Sequence, residues 1–141
     1  MKPLFQIQNL HLSISILIVI SIALVYGFLP QKVLYNPFDF SVVSTDLANI
    51  LKAVMGFYIA SALLWIIGIF NPKFWNAATL SNIIFMLGLG FGRCLSCLLD
   101  GIPSALFVFG MVGELTLGFY GLRTYQIKNI KDQNNSNKLG L

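Results

Sequence analysis

Four long apolar runs, three of them closed by proline-bearing turns, constrain this chain more than any other feature. The strongly apolar part of the first extends from Leu12 to Leu29. At the rise of an α-helix it reaches about 27 Å, close to the thickness of a bilayer's hydrocarbon core. Pro30 ends it, because proline removes a backbone donor and clashes with the preceding turn. Asn71-Pro72 closes the second run, and Asp100-Gly101-Ile102-Pro103-Ser104 separates the third from the fourth. The pattern predicts membrane spans at about 8–29, 47–70, 75–99 and 104–123. The expected fold is therefore all-α, a four-helix transmembrane bundle occupying 1–125, followed by a polar cytoplasmic tail over 126–141.

Charge supports this. Hydrophobic residues make up 57% of the chain and charged ones only 10%, against about 25% in a soluble domain. The 141 residues leave no room for a separate soluble domain beside four spans. The first run is expected to be retained as a span: its basic leader is Lys2 alone, its apolar stretch is long, and Val25-Tyr26-Gly27-Phe28 offers no small-x-small cleavage site. The connection from Gln31 to Asp46 carries Tyr35, Phe38 and Phe40 and is expected to rest at the bilayer interface. Ser44, Thr45 and Asp46 are N-cap candidates for the second helix. Gln126–Leu141 lacks an apolar period and is expected to be a frayed helix end and a disordered tail.

Four spans place both termini and the second loop on one side. That side carries Lys2, Lys73, Arg123, Lys128, Lys131 and Lys138, whereas the other has Lys32, with Lys52 just inside the second helix. The Lys/Arg bias predicts cytoplasmic termini. Trp75, Tyr120 and Tyr125 fall at that interface, Tyr26 and Tyr35 at the opposite one. The net charge of +4 is thus explained by topology, and no nucleic-acid motif accompanies it.

Arg93 and Glu114 lie within spans, where each costs roughly 2.5–3.5 kcal/mol unless partnered and turned inward. Their distances from the hairpin turn differ by about 6 Å of helix rise. Side chains lean toward their own helix N-terminus, so the offset closes and the two are expected to pair. Small residues at four-residue spacing flank them: Gly110 and Gly118 about Glu114, and Gly88, Gly92 and Ser96 with Asp100 beside Arg93. Lys52, Arg93, Ser96, Asp100 and Glu114 form a candidate intramembrane polar cluster, read either as a ligand or ion site or as a structural ion-pair network. His11 near the start of the first span is a lone interfacial histidine. Cys94 and Cys97 form C-x-x-C, but near a helix C-terminus rather than the N-terminus that activates thiols, and with no second pair to relay electrons. Two cysteines cannot hold a structural zinc unaided, and no metal or cofactor is expected.

Lys52-Ala53-Val54-Met55-Gly56-Phe57-Tyr58, Gly92-Arg93 with Ser96, Asp100-Gly101-Ile102-Pro103-Ser104 and Glu114 together resemble the small bacterial membrane family known as domain-of-unknown-function family 4345. The resemblance extends from the first helix to about Leu122. Lys52 stands where that family has arginine, Met55 where it has tyrosine, and the cysteines where it has aliphatic residues. The resemblance implies four helices in a bacterial inner membrane and no established activity.

No nucleophile, base and orienting group converge in the sequence. The expected function is a non-catalytic accessory or scaffolding subunit, with membrane lipids and other membrane subunits or a second copy as partners. The alternatives are a carrier or binding protein for a small anion or amphiphile at Arg93 and Glu114, and a membrane thiol–disulfide oxidoreductase using Cys94 and Cys97.

Overall fold

A computed structural model describes residues 6–28 and 44–138, and it is helical throughout those segments except at short turns. A 3-10 turn at Ile7–Asn9 leads into α1 (Leu10–Phe28); α2 spans Thr45–Phe70, α3 spans Trp75–Leu99 and α4 spans Ala105–Lys138. All four are long and apolar enough to cross a membrane. In hydrocarbon a chain must satisfy its own backbone groups, which leaves helices as the form open to such runs. The expected interfacial stretch lies outside the described residues except for its last three positions.

Local chemistry sets the boundaries. Ser44 adopts an extended conformation and its hydroxyl accepts the Leu47 N–H at 3.1 Å, making it the N-cap of α2. Asn71 ends α2, and its side-chain oxygen accepts the Lys73 N–H at 3.1 Å to open a single 3-10 turn at Pro72–Phe74. After α3 the chain reverses at Gly101, whose φ of +100° is accessible to glycine without a side-chain clash. Ser104 then accepts backbone N–H groups from Phe107 and Val108, which starts α4.

Helices α1 and α2 form one antiparallel pair and α3 and α4 another, with the pairs joined mainly through α2 and α3. The core is a seam of Leu12, Val19 and Ala23 from α1, Tyr58, Ala62 and Trp65 from α2, and Ala78 and Met86 from α3. Phe85 meets Tyr58 and Trp65 edge-on at 5.0 and 5.3 Å. Glycines set the tightest approaches. A Cβ on Gly90 would stand 2.6 Å from the Leu115 side chain, and one on Gly118 would stand 2.6 Å from Leu87, so these positions bring α3 and α4 together. The outward apolar residues, such as Leu17, Phe109 and Leu98, remain exposed, as a lipid-facing surface requires.

The fourth helix corrects the expected frayed and disordered tail, because it continues to Lys138. Tertiary contacts beyond the span hold it. The Tyr125 ring stacks on Trp75 at 6.4 Å, and the Lys128 ammonium lies 4.1 Å from the centre of the same indole. Trp75 is itself fixed by donating its ring N–H to Asn9 Oδ1 at 2.8 Å.

Candidate functional site: an intramembrane ion pair and a buried polar seam

Arg93 projects from the last third of α3 toward α4, where Glu114 is buried one turn beyond Gly110. The guanidinium Nε lies 2.9 Å from Glu114 Oε2 and 3.2 Å from Oε1, so one N–H straddles both carboxylate oxygens. The guanidinium carbon sits 5.1 Å from the Phe107 ring centre. These contacts satisfy one edge of the guanidinium. A cation and an anion removed together from water are tolerated in a low-dielectric interior when hydrogen-bonded in this way.

The five predicted residues do not form one cluster. Arg93 and Glu114 are brought together. Ser96 donates its hydroxyl to Asp100 Oδ2 at 2.8 Å on the exposed end of α3, a contact within one helix. Lys52 is exposed on α2 beside Thr45, Ala48, Asn49 and Ala53 around a shallow groove, and among the described residues it has no ion-pair partner. Side-chain direction separates what axial position alone suggested. The Cys94 thiol lies 3.5 Å from Met111 Sδ, and Cys94 and Cys97 are not bonded to each other.

Beside Glu114 is a cavity of about 110 Å³ walled by Val19 and Ile22 of α1, Tyr58 of α2, Met86 of α3, and Gly110 and Gly113 of α4. Its lining is apolar apart from Glu114 and Tyr58. A cavity of about 150 Å³ accepts benzene, so this one suits a smaller group.

A second polar constellation lies at the end of the bundle that holds the α2–α3 turn. His11 and Ser15 on α1 and Thr79 and Asn82 on α3 are all fully buried, and their side-chain polar atoms have no hydrogen-bond partner. His11 meets Trp75 and Tyr120 edge-on at 6.4 and 6.2 Å. A Cβ on Gly121 would lie 3.1 Å from His11 and 3.8 Å from Asn82, so both side chains reach the same point on α4. Sequence reasoning singled out His11 alone. The signal for the others was present, since His11 and Ser15 are spaced four apart and Thr79 and Asn82 three apart, one helical face in each span.

Fold and site together define a small polytopic membrane protein with an interhelical ion pair inside its bundle. The chain belongs to the family described as a domain of unknown function (DUF4345), whose model matches residues 7–124. No curated protein and no solved structure matches it.

Proposed function

We propose that this protein is a non-catalytic subunit of a membrane assembly in the bacterial cytoplasmic membrane, with both termini in the cytoplasm, and that it docks through the outward face of α3. The observation that carries this reading is the fate of the glycines. Gly90 faces inward and is filled against Leu115, whereas Gly88 and Gly92 are exposed and would meet nothing if given a Cβ; Ser96, one turn on, is exposed as well. A glycine inside a helix costs about 1 kcal/mol relative to alanine. No close approach within the monomer offsets that cost at Gly88 and Gly92, and in lipid small residues at this spacing let a second helix come close. The orientation rests on the Lys/Arg excess at the end with the termini.

The test is isolation from native membranes in mild detergent, with identification of what accompanies the chain. A stoichiometric membrane partner or a second copy is expected. Gly92→Leu should abolish that association while leaving insertion and melting unchanged. A lone monomer from native membranes, or an association indifferent to Gly92→Leu, refutes the reading.

The cavity beside Glu114 supports a second reading, a binding site for the end of a small amphiphile. Gly113→Leu would fill the cavity and abolish binding, whereas retention of any bound molecule by that variant removes this reading.

A further inference from the structure

A groove of about 650 Å³ lies at the opposite end of the molecule from the Arg93–Glu114 pair, where the N-terminal 3-10 turn rests against the extension of α4. Arg123, Lys128 and Lys131 line it together with Ile7 and Ile127, and no carboxylate is among its lining residues. The Tyr120 hydroxyl donates to the Ile7 carbonyl at 3.3 Å and ties the turn to the helix at this groove. We propose that this groove binds the phosphate headgroup of an anionic phospholipid.

Three features support a lipid as the occupant. The first is depth. Counting from Ala105, Arg123 stands about 27 Å along α4 and Lys131 about 39 Å. A hydrocarbon core is about 30 Å thick and the bilayer with its headgroup regions about 40–45 Å. The three cations therefore bracket the headgroup layer. The second is the helical face. At about 100° per residue, Arg123, Ile127, Lys131 and Lys128 fall within an arc of about 140°, with the apolar residue between the charged ones. That alternation suits a phosphate above and an acyl chain below, which free phosphate does not supply. The third is preorganisation. Lys128 is held against Trp75, and Trp75 against Asn9, so one cation is fixed before any ligand arrives. Basic pockets at the membrane surface recognise anionic headgroups by these means. A basic excess at this end is expected from topology alone, but topology does not require a groove that gathers three cations beside Ile7 and Ile127.

Native mass spectrometry of the full chain in detergent, titrated with phosphatidylglycerol or with phosphatidylcholine of the same acyl chains, reads the site directly. Phosphatidylglycerol should be retained preferentially. Lys131→Gln should weaken it about fivefold, and Arg123→Gln with Lys131→Gln about 25-fold, from the usual contribution of one basic residue near a charged surface. Lys73→Gln removes the same charge at the same end but outside the groove, and should leave retention unchanged. Equal retention of the two lipids overturns the proposal, as does a Lys73→Gln variant as weak as Lys131→Gln. Displacement of the lipid by millimolar inorganic phosphate would assign the site to a free anion and overturn it as well.

Discussion

Neutralising Arg93 and Glu114 separately and together measures what the intramembrane pair contributes. Removing one partner of a buried pair costs about 3–5 kcal/mol, because the other charge is left uncompensated. Here the pair is not fully enclosed: the side chains are 21% and 10% exposed for Arg93 and Glu114. The cost therefore falls below that range, and depth makes the two substitutions unequal. Arg93 lies about 9 Å from the end of α3 at Leu99, and Glu114 about 14 Å from the start of α4 at Ala105. An orphaned Arg93 can extend its long side chain toward the nearby interface, which an orphaned Glu114 is too short and too deep to do. Arg93→Gln is expected to cost about 2.5 kcal/mol, Glu114→Gln about 1.5, and the double variant about 1, because two glutamines can hydrogen-bond each other. The coupling is then about 3 kcal/mol, the upper range for residues in direct contact. Reversible unfolding by SDS in mixed micelles, followed by tryptophan emission, measures all four proteins. Additive single effects, with coupling below about 0.5 kcal/mol, would refute the argument that the pair is a mutual neutralisation. A costlier Glu114→Gln than Arg93→Gln would refute the argument from depth.

Other substitutions test the packing and the second polar seam. Gly118→Ala should destabilise the α3–α4 pair by about 1–3 kcal/mol, since the new Cβ would press on the Leu87 side chain and stand 3.3 Å from its backbone nitrogen; Gly88→Ala in the same assay should be neutral or slightly stabilising. Asn82→Leu should raise the unfolding free energy by about 1 kcal/mol, because it removes two buried polar atoms that have no partner; a loss of stability would show that Asn82 is satisfied in the membrane. Trp75→Phe should cost about 1–2 kcal/mol through the lost hydrogen bond to Asn9, and should release the α4 extension to trypsin at Lys128 and Lys131; unchanged protection would show that the extension does not depend on this anchor.

The mutual arrangement of Arg93 and Glu114 was legible because two independent constraints agreed. Helix rise gave their depth, and the cost of an unpaired charge in lipid required a partner. Lys52 and Asp100 met only the first constraint. Exposed residues near an interface can satisfy themselves with water or with a neighbour such as Ser96, so nothing forced them toward the pair. The helical extension of α4 is hard to read from sequence for a related reason. Composition reports whether a segment can bury itself, and Gln126–Lys138 cannot. Its helix is stabilised instead by Trp75, distant in sequence, which receives Tyr125 and Lys128 on its ring.

Four long helices suited to lipid, the turns that end them and the depth of each polar group can all be read along the chain. Those properties follow from length, hydropathy and backbone chemistry, which act along one dimension. Which small residues are filled and which stay open depends on how the helices pack. Gly90 and Gly92 differ by two positions in one helix and are equivalent in composition, yet one receives Leu115 and the other faces outward. Packing also brings His11, Ser15, Thr79 and Asn82 together within one seam. Rotation about the helix axis is set by packing against neighbouring helices, and in lipid, where both faces of a helix are apolar, hydrophobicity along the chain does not specify it.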